Sequence, residues 1–208
     1  MTTTKKLVIA VVALSLALVA FAGTTLAWLT ASSDEVKNTF TYGKVALTLD
    51  EAKVDAYGDP VTGADRVTAN QYKLIPGEEY TKDPIVHVTK GSEPCYVYVE
   101  VVNGLKDVIV ATTIEDQMKA NDWVNIEGTN IWYYKNAVDA LNATADIDLK
   151  VFGSFKLTND VDVATYKDAE ITVKAYAVQS ANIGGQVAAW EATFGTPAAT
   201  ETTTEAEG

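Results

Sequence analysis

The stretch Cys95-Tyr96-Val97-Tyr98-Val99-Glu100-Val101 decides the fold class of this chain. Successive side chains of a β-strand point to opposite faces, so the cysteine and the valines would share one face. The two tyrosines and Glu100 would share the other. β-Branched and aromatic residues suit a half-buried pleated surface, and the stretch therefore predicts a strand with its valine face in a core.

The same period of two recurs outward from this stretch in both directions. It marks the segments 44–49, 85–89, 131–135, 147–157 and 171–177, with a bulge expected at Gly153. Gly58-Asp59-Pro60 and Pro76-Gly77 are turn signals between them. Several short strands without regularly alternating helices predict an all-β antiparallel sandwich.

Two short helices interrupt the strand pattern. Thr112 and Glu115 have the spacing of a capping box, and Ile114 and Met118 lie one turn apart on the helix that it would begin. The second helix is expected after Gly184-Gly185. It would hold Val187 and Trp190.

The first 27 residues have the three parts of a secretory signal: Lys5-Lys6, an uncharged apolar run and a small-residue end. We predict cleavage after Ala27, with Thr25 as the second small residue and Trp28 as the first mature one. The protein would then contact the membrane only through its signal segment, before cleavage. An uncleaved anchor is the alternative, because the apolar run is long enough to span a bilayer.

Four segments are therefore predicted. Residues 1–27 form the signal peptide, with a signal helix preceding the sandwich, and residues 28–38 a polar, flexible segment. The β-sandwich domain covers 39–195. Residues 196–208 are an acidic tail of low complexity that cannot bury enough apolar surface to order itself.

Charge and cysteine content exclude several classes of protein. The net charge is −12, and nucleic-acid binding needs clustered cations to displace counterions, so no nucleic-acid partner is predicted. Cys95 is the single cysteine, which rules out an intramolecular disulfide. Its apolar surroundings predict a buried thiol, with an intermolecular bridge or a reactive thiol as alternatives.

Catalytic and metal signatures are missing from the sequence. His87 is the single histidine, and no H-E-x-x-H motif, nucleophile elbow around Ser92 or phosphate-binding loop occurs. We expect His87 to be an outward polar residue of a strand and predict no catalytic residues, cofactor or metal. Calcium at Asp50, Asp55 and Asp59 is an alternative, since oxygen ligands suit this ion.

Acidic pairs and aromatic residues are each assigned a structural role. The pairs Asp34-Glu35, Asp50-Glu51 and Glu78-Glu79 are expected to be solvated surface groups. Aromatic side chains are expected to anchor the core, with a carbohydrate-binding groove as the alternative. These aromatic residues are Trp123, Trp132, Tyr133, Tyr134 and Trp190.

A set of short motifs, in order, resembles the bacterial TasA/camelysin family of exported proteins. The N-terminal part of the match is GTTLAWLT at 23–30 and NTFTYGKV at 38–45. The remaining motifs are Ile75-Pro76-Gly77-Glu78, Lys82-Asp83-Pro84, Gly91-Ser92, Tyr96-Val97, Trp132-Tyr133-Tyr134, Val151-Phe152, Ala175-Tyr176-Ala177-Val178-Gln179 and Ala189-Trp190. Their order covers nearly the whole mature chain.

The resemblance implies a jelly-roll sandwich, secretion by a Gram-positive-type bacterium and removal of the signal by a dedicated peptidase of the SipW type. TasA forms biofilm-matrix fibres in which the segment freed by cleavage adds a strand to the next subunit. The corresponding donor strand here would lie within 28–38 and include Trp28, Leu29 and Val36. Camelysin-type members are labelled metallo-endopeptidases, an activity that this chain lacks the motifs to support.

The sequence thus predicts a secreted, non-enzymatic structural protein of the extracellular matrix or cell surface. Its partners would be further copies of itself, joined head to tail into fibres, together with other matrix or cell-surface proteins. Two alternatives remain open at this point: a camelysin-like surface metallo-endopeptidase and a monomeric extracellular binding module.

Overall fold

The computed structural model describes the backbone of residues 30–33 and the whole of residues 44–109 and 112–199. The predicted signal peptide, including Thr25 and Ala27, lies outside the described residues. So do Trp28, Leu29 and Val36 of the predicted donor strand. The tail is described only as far as residue 199.

The described residues form ten strands and two α-helices. The strands are β1 (Thr30–Ser33), β2 (Leu47–Asp50), β3 (Glu79–Thr81), β4 (Ile85–Val88), β5 (Cys95–Asn103), β6 (Trp123–Asn125), β7 (Ile131–Tyr134), β8 (Ile147–Lys150), β9 (Ser154–Lys156) and β10 (Ile171–Gln179). The helices are α1 (Ile114–Ala120) and α2 (Gln186–Phe194), with a short 3₁₀ turn at Lys106–Val108. Neither α-helix has the length and apolar character needed to cross a bilayer.

All strand pairs among the described residues are antiparallel. One sheet has the order β1-β10-β5-β7-β6, and a second has the order β2-β4-β8. The β3–β9 pair continues the second sheet, because Val151 N–H donates to Pro84 O at 2.9 Å and Lys82 N–H to Gly153 O at 3.1 Å. The two β-layers share one core, which confirms the all-β prediction.

The core lies between the valine face of β5 and the second layer. Cys95, Val97 and Val99 are fully buried and share a cluster with Val86 and Val88 of β4. Burying a side chain of this size contributes about 1.5–3 kcal/mol relative to leaving it exposed. The alternation predicted for residues 95–101 is therefore confirmed on its inward side.

The opposite face of β5 is more enclosed than the sequence pattern indicates. Tyr98 is fully buried beneath α2, and its hydroxyl donates to Gln186 O at 2.7 Å. Trp190 of α2 packs against Tyr98 and Tyr176, with ring centroids 5.2 and 5.3 Å apart. A second, smaller core therefore lies on the outer side of the five-stranded sheet.

The helix signals are correct in kind but not in every residue. Helix α1 is capped by Thr113, whose Oγ1 accepts from Asp116 N–H at 3.1 Å, so the predicted pair Thr112 and Glu115 is wrong by one position. Both pairs have the same spacing, and the reciprocal hydrogen bonds between Thr113 and Asp116 identify the actual cap. Helix α2 begins after Gly185 as predicted.

Helix α2 has an exposed face, and the bulge expected at Gly153 is not formed. Val187 of α2 is 41% exposed, because Trp190 fixes the buried face of this short helix. Gly153 is not a bulge within one strand but lies in the link between β8 and β9. The Gln117 side chain accepts from Gly153 N–H at 2.9 Å and replaces the missing ladder bond there.

Candidate functional site

Strand β10 is paired along its full length on one side but only in part on the other. Its nine residues all face β5, from Ile171 opposite Asn103 to Gln179 opposite Cys95. On its outer side, β1 covers only the four residues from Ala175 to Val178. The half of β10 from Ile171 to Lys174 has no strand partner there among the described residues.

The hydrogen-bond pattern identifies which backbone N–H and C=O groups in this half of β10 point away from β5. Gly104 N–H donates to Glu170 O and Ser180 N–H donates to Pro94 O, both at 2.9 Å. Hydrogen-bonded and non-hydrogen-bonded pairs alternate along an antiparallel ladder, so even-numbered residues of β10 direct their backbone groups to β5. The N–H and C=O groups of Ile171 and Val173 therefore point away from β5.

Strand β2 also has a backbone edge, or margin, whose N–H and C=O groups point away from its neighbouring strand. It is the edge strand of its sheet, and Thr89 N–H donates to Ala46 O at 2.9 Å. By the same alternation, Leu47 and Leu49 direct their backbone groups away from β4. Strand β2 also lies next to both β1 and β10.

A groove of about 1450 Å³ separates these two margins, and we call it the edge groove. Apolar side chains from both β-layers line it, and charged residues complete its wall. The apolar lining includes Leu47, Leu49, Leu74, Phe155, Ile171 and Val173. An extended peptide in this groove would find backbone partners on each side and apolar surface beneath it.

The wall of the edge groove contains a buried ion pair. Glu51 is only 4% exposed, and its Oε2 lies 2.7 Å from Lys82 Nζ. Its Oε1 accepts from Asn70 Nδ2 at 3.0 Å. The prediction of a solvated Glu51 is therefore wrong, because a lysine and an amide compensate its charge inside the fold.

A second polar cluster fixes β2 to its sheet. His87 Nδ1 lies 2.6 Å from Asp148 Oδ1 of β8, and His87 Nε2 lies 3.0 Å from Asp50 Oδ1 of β2. Carboxylates only accept hydrogen bonds, so both ring nitrogens must donate, which requires the charged imidazolium. This cross-strand bridge, the histidine clamp, joins all three strands of the sheet.

The pKa of His87 follows from this geometry. Burial alone would lower it, but the hydrogen bonds to Asp50 and Asp148 outweigh burial and raise the pKa above its ordinary value. For Asp50, burial would raise the pKa, yet the bonds from Arg66 and His87 bring it below its usual range. Asp50 and Asp83 also hold the guanidinium of Arg66 between them.

The three aspartates considered for calcium do not converge. Asp50 is occupied by Arg66 and His87. Asp55 Oδ1 accepts from the backbone N–H groups of Tyr57 and Asp59, which forms a local turn. Within residues 44–109 and 112–199, no three His, Cys, Asp or Glu side chains are grouped as metal ligands.

The remaining predicted residues have structural roles. Cys95 is fully buried, and burial followed by the charge of Asp139 raises the pKa of its thiol to about 12, which confirms the buried-thiol prediction. Ser92 is buried, and its hydroxyl bonds to the backbone of Ala46. Trp123, Trp132 and Trp190 are at most 6% exposed, which confirms core anchoring, whereas Tyr133 and Tyr134 are half-buried.

Several residues of this site were missed by the sequence analysis. Asn70 and Arg66 lie in an irregular segment without periodicity, and Asp148 occupies an ordinary outward strand position. Lys82 follows strand β3 and carries no local sign of its partner 31 residues away. Contacts between segments far apart in the sequence bring these groups together.

In comparisons with known proteins, no family model, curated protein or solved structure matches this chain. The function is therefore argued from the geometry of the edge groove.

Proposed function

We propose that this chain is a secreted, non-enzymatic structural protein of a bacterial matrix or cell surface, with strands arranged as a jelly roll. Copies would assemble head to tail when an N-terminal segment of one copy adds a strand to the edge groove of the next. The observation that supports this proposal is a pair of margins that no described strand covers, Ile171 and Val173 on β10 and Leu47 and Leu49 on β2.

Strand addition suits this groove for a physical reason. Unpaired backbone groups at a sheet edge bind another strand, and pockets beside them select its side chains. The edge groove combines such groups with an apolar lining. A polar groove would offer no compensating burial, and a fully paired edge would offer no hydrogen bonds.

The proposed donor is the segment 28–38 of a second copy. Four of its residues, Thr30 to Ser33, pair with the adjoining half of β10 within one chain, so this backbone is compatible with that margin. A donor that replaces the acceptor's own β1 and keeps its register would bring Asp34 opposite Lys174, an opposite-charge pair. A contact between unlike surfaces leaves one free surface at each end, so it extends into a filament when its rotation does not close a ring.

The test compares mature protein beginning at Trp28 with a variant lacking residues 28–38. We expect filaments of the mature protein in electron micrographs at raised concentration. The deletion variant should remain monomeric in analytical ultracentrifugation. Filaments from the deletion variant, or a mature protein that stays monomeric across salt and pH, would contradict the proposal.

A synthetic peptide of residues 28–38 provides the matched complementation. It should bind the deletion variant at one peptide per chain and limit filament growth of the mature protein. A peptide of the same composition in scrambled order should do neither. Equal binding of both peptides would show that charge alone, and not strand register, drives the contact.

A further inference from the structure

Glu51, Asn70 and Lys82 form a three-residue cluster in the wall of the edge groove. The two oxygens of the Glu51 carboxylate hold the other two groups, Lys82 Nζ at 2.7 Å and Asn70 Nδ2 at 3.0 Å. Glu51 is 4% exposed, and the Lys82 side chain is 12% exposed. An amine nucleophile and a side-chain amide are thereby held on one buried acid–base group.

We propose that this cluster forms an intramolecular isopeptide bond between Lys82 Nζ and Asn70 Cγ, with Glu51 carrying the protons. The inference concerns a covalent modification of the folded chain, and it does not depend on the proposed assembly function.

The reaction balances without any co-reactant. The Lys82 ammonium gives a proton to Glu51, and the neutral amine attacks Asn70 Cγ, so that a C–N bond forms and the carbonyl electrons move to Oδ1. The carbonyl then re-forms and the bond from Cγ to Nδ2 breaks. Two protons from Nζ pass through Glu51 to the departing nitrogen, which leaves as ammonium, and Glu51 returns to its carboxylate form.

The surroundings of Asn70 favour this reaction. Val54 N–H donates to Asn70 Oδ1 at 3.0 Å, which polarises the carbonyl and would stabilise negative charge on that oxygen in the transition state. Asn70 Nδ2 also donates to Ala52 O at 2.8 Å, so the amide plane is fixed from both ends. Positioning of this kind supplies a large part of the rate of an intramolecular reaction.

An aromatic group lies beside the cluster. The Tyr72 ring packs edge-on against Tyr80 and Phe155, with centroids 5.8 and 5.6 Å away. Burial, and then the charge of Glu51, raises the pKa of the Tyr72 hydroxyl, which places this ring within the electrostatic reach of Glu51.

The bond would compensate for two features of the chain. The single cysteine excludes an internal disulfide. The segment 52–78 contains no strand, and an isolated bridge joins its Val67 to Glu51. Joining Asn70 to Lys82 would fasten this segment beside β3 with a link that reducing agents cannot open.

Intact mass spectrometry of the purified, denatured mature protein is the deciding test. We expect a mass lower than that of the sequence by one ammonia. Trypsin should release peptide 67–73 covalently linked to peptide 74–90, because a modified Lys82 is no longer cleaved. A mass equal to that of the sequence, with free peptides 67–73 and 74–82, would overturn the proposal and leave an ordinary buried ion pair.

Variants identify the roles within the cluster. Lys82→Arg and Asn70→Ala should each restore the full mass, and Glu51→Gln should abolish or greatly slow the loss of ammonia. Lys73→Arg, a neighbouring lysine outside the cluster, should keep the bond. A bond that persists in Lys82→Arg would refute the assigned nucleophile, and circular dichroism would establish that each variant is folded.

Discussion

The two halves of β10 have the same backbone conformation and opposite surroundings. From Ala175 to Val178 the strand lies between β1 and β5, above the main core and below α2. Among the described residues, the half from Ile171 to Lys174 is paired with β5 and borders the edge groove. The comparison shows that one half of this strand is enclosed by neighbours and that the other half adjoins a groove.

The largest effect should come from removing the aromatic anchor above the closed half. Trp190→Ala deletes the ring that packs on Tyr98 and Tyr176, and it should lower the free energy of unfolding by about 3–5 kcal/mol. Urea unfolding measures this change. Val187→Ala on the exposed face of the same helix is the control and should stay within about 0.5 kcal/mol of the parent.

Enlarging a side chain should have different effects on stability in the two halves of β10. Ala177→Leu inserts carbon atoms into a fully buried position and should cost about 1–3 kcal/mol in urea unfolding. Val173→Leu enlarges a half-buried side chain that borders the edge groove and should cost less than Ala177→Leu. Equal costs at both positions would mean that the open half is packed as tightly as the closed half.

The opposite wall of the groove should respond to pH. The pKa of His87 is raised in the folded state, so the histidine clamp contributes its full stability below the unfolded pKa of about 6.5. That contribution is lost as pH rises through the folded pKa. His87→Asn should therefore cost about 1 kcal/mol in acidic buffer and less in basic buffer, as urea unfolding would measure.

Because His87 is the single histidine, its NMR titration is unambiguous. The midpoint should lie above that of a free histidine and should fall in Asp148→Asn, which removes one acceptor carboxylate. An unchanged midpoint in that variant would contradict the clamp. Asp50 has the opposite pH dependence. Because its pKa is lowered in the folded state, its contribution to stability is lost as pH falls through that pKa.

The smallest expected effect is a difference in amide hydrogen exchange between neighbouring residues of β10, measured on the folded parent protein. The N–H groups of Ile171 and Val173 should exchange quickly, whereas those of Thr172 and Lys174 should be protected by β5. Protection of Ile171 and Val173 should appear when filaments form. Uniform protection along β10 in the monomer would show that its margin is already occupied.

Sequence periodicity predicted much of this architecture. The inward row of β5, both helices, the buried Cys95 and the tryptophan anchors follow from local patterns of apolar residues. The full burial of Tyr98 does not, because it depends on a helix 88 residues farther along the chain. Thr113 in place of Thr112 shows that equal spacing leaves the exact cap undecided.

The site itself was less accessible to sequence reasoning. Glu51 and Asp50 are adjacent in the chain, yet one is buried with Lys82 and the other meets His87 and Arg66. Their different roles result from strand alternation and from partners in distant segments. The margin of β10 beside the groove is likewise a property of topology. The residue types at 171–174 do not indicate that a neighbouring strand covers only one side of them.

The described chain ends far from this margin in the order of the sheet. Ala199 forms an isolated bridge with Thr129, next to the β6 edge, whereas β1 and the groove lie at the other edge. In the proposed assembly, a fluorescent label attached near Ala199 would therefore lie away from the acceptor groove. Labelled subunits of this kind would test the polarity of the proposed elongation.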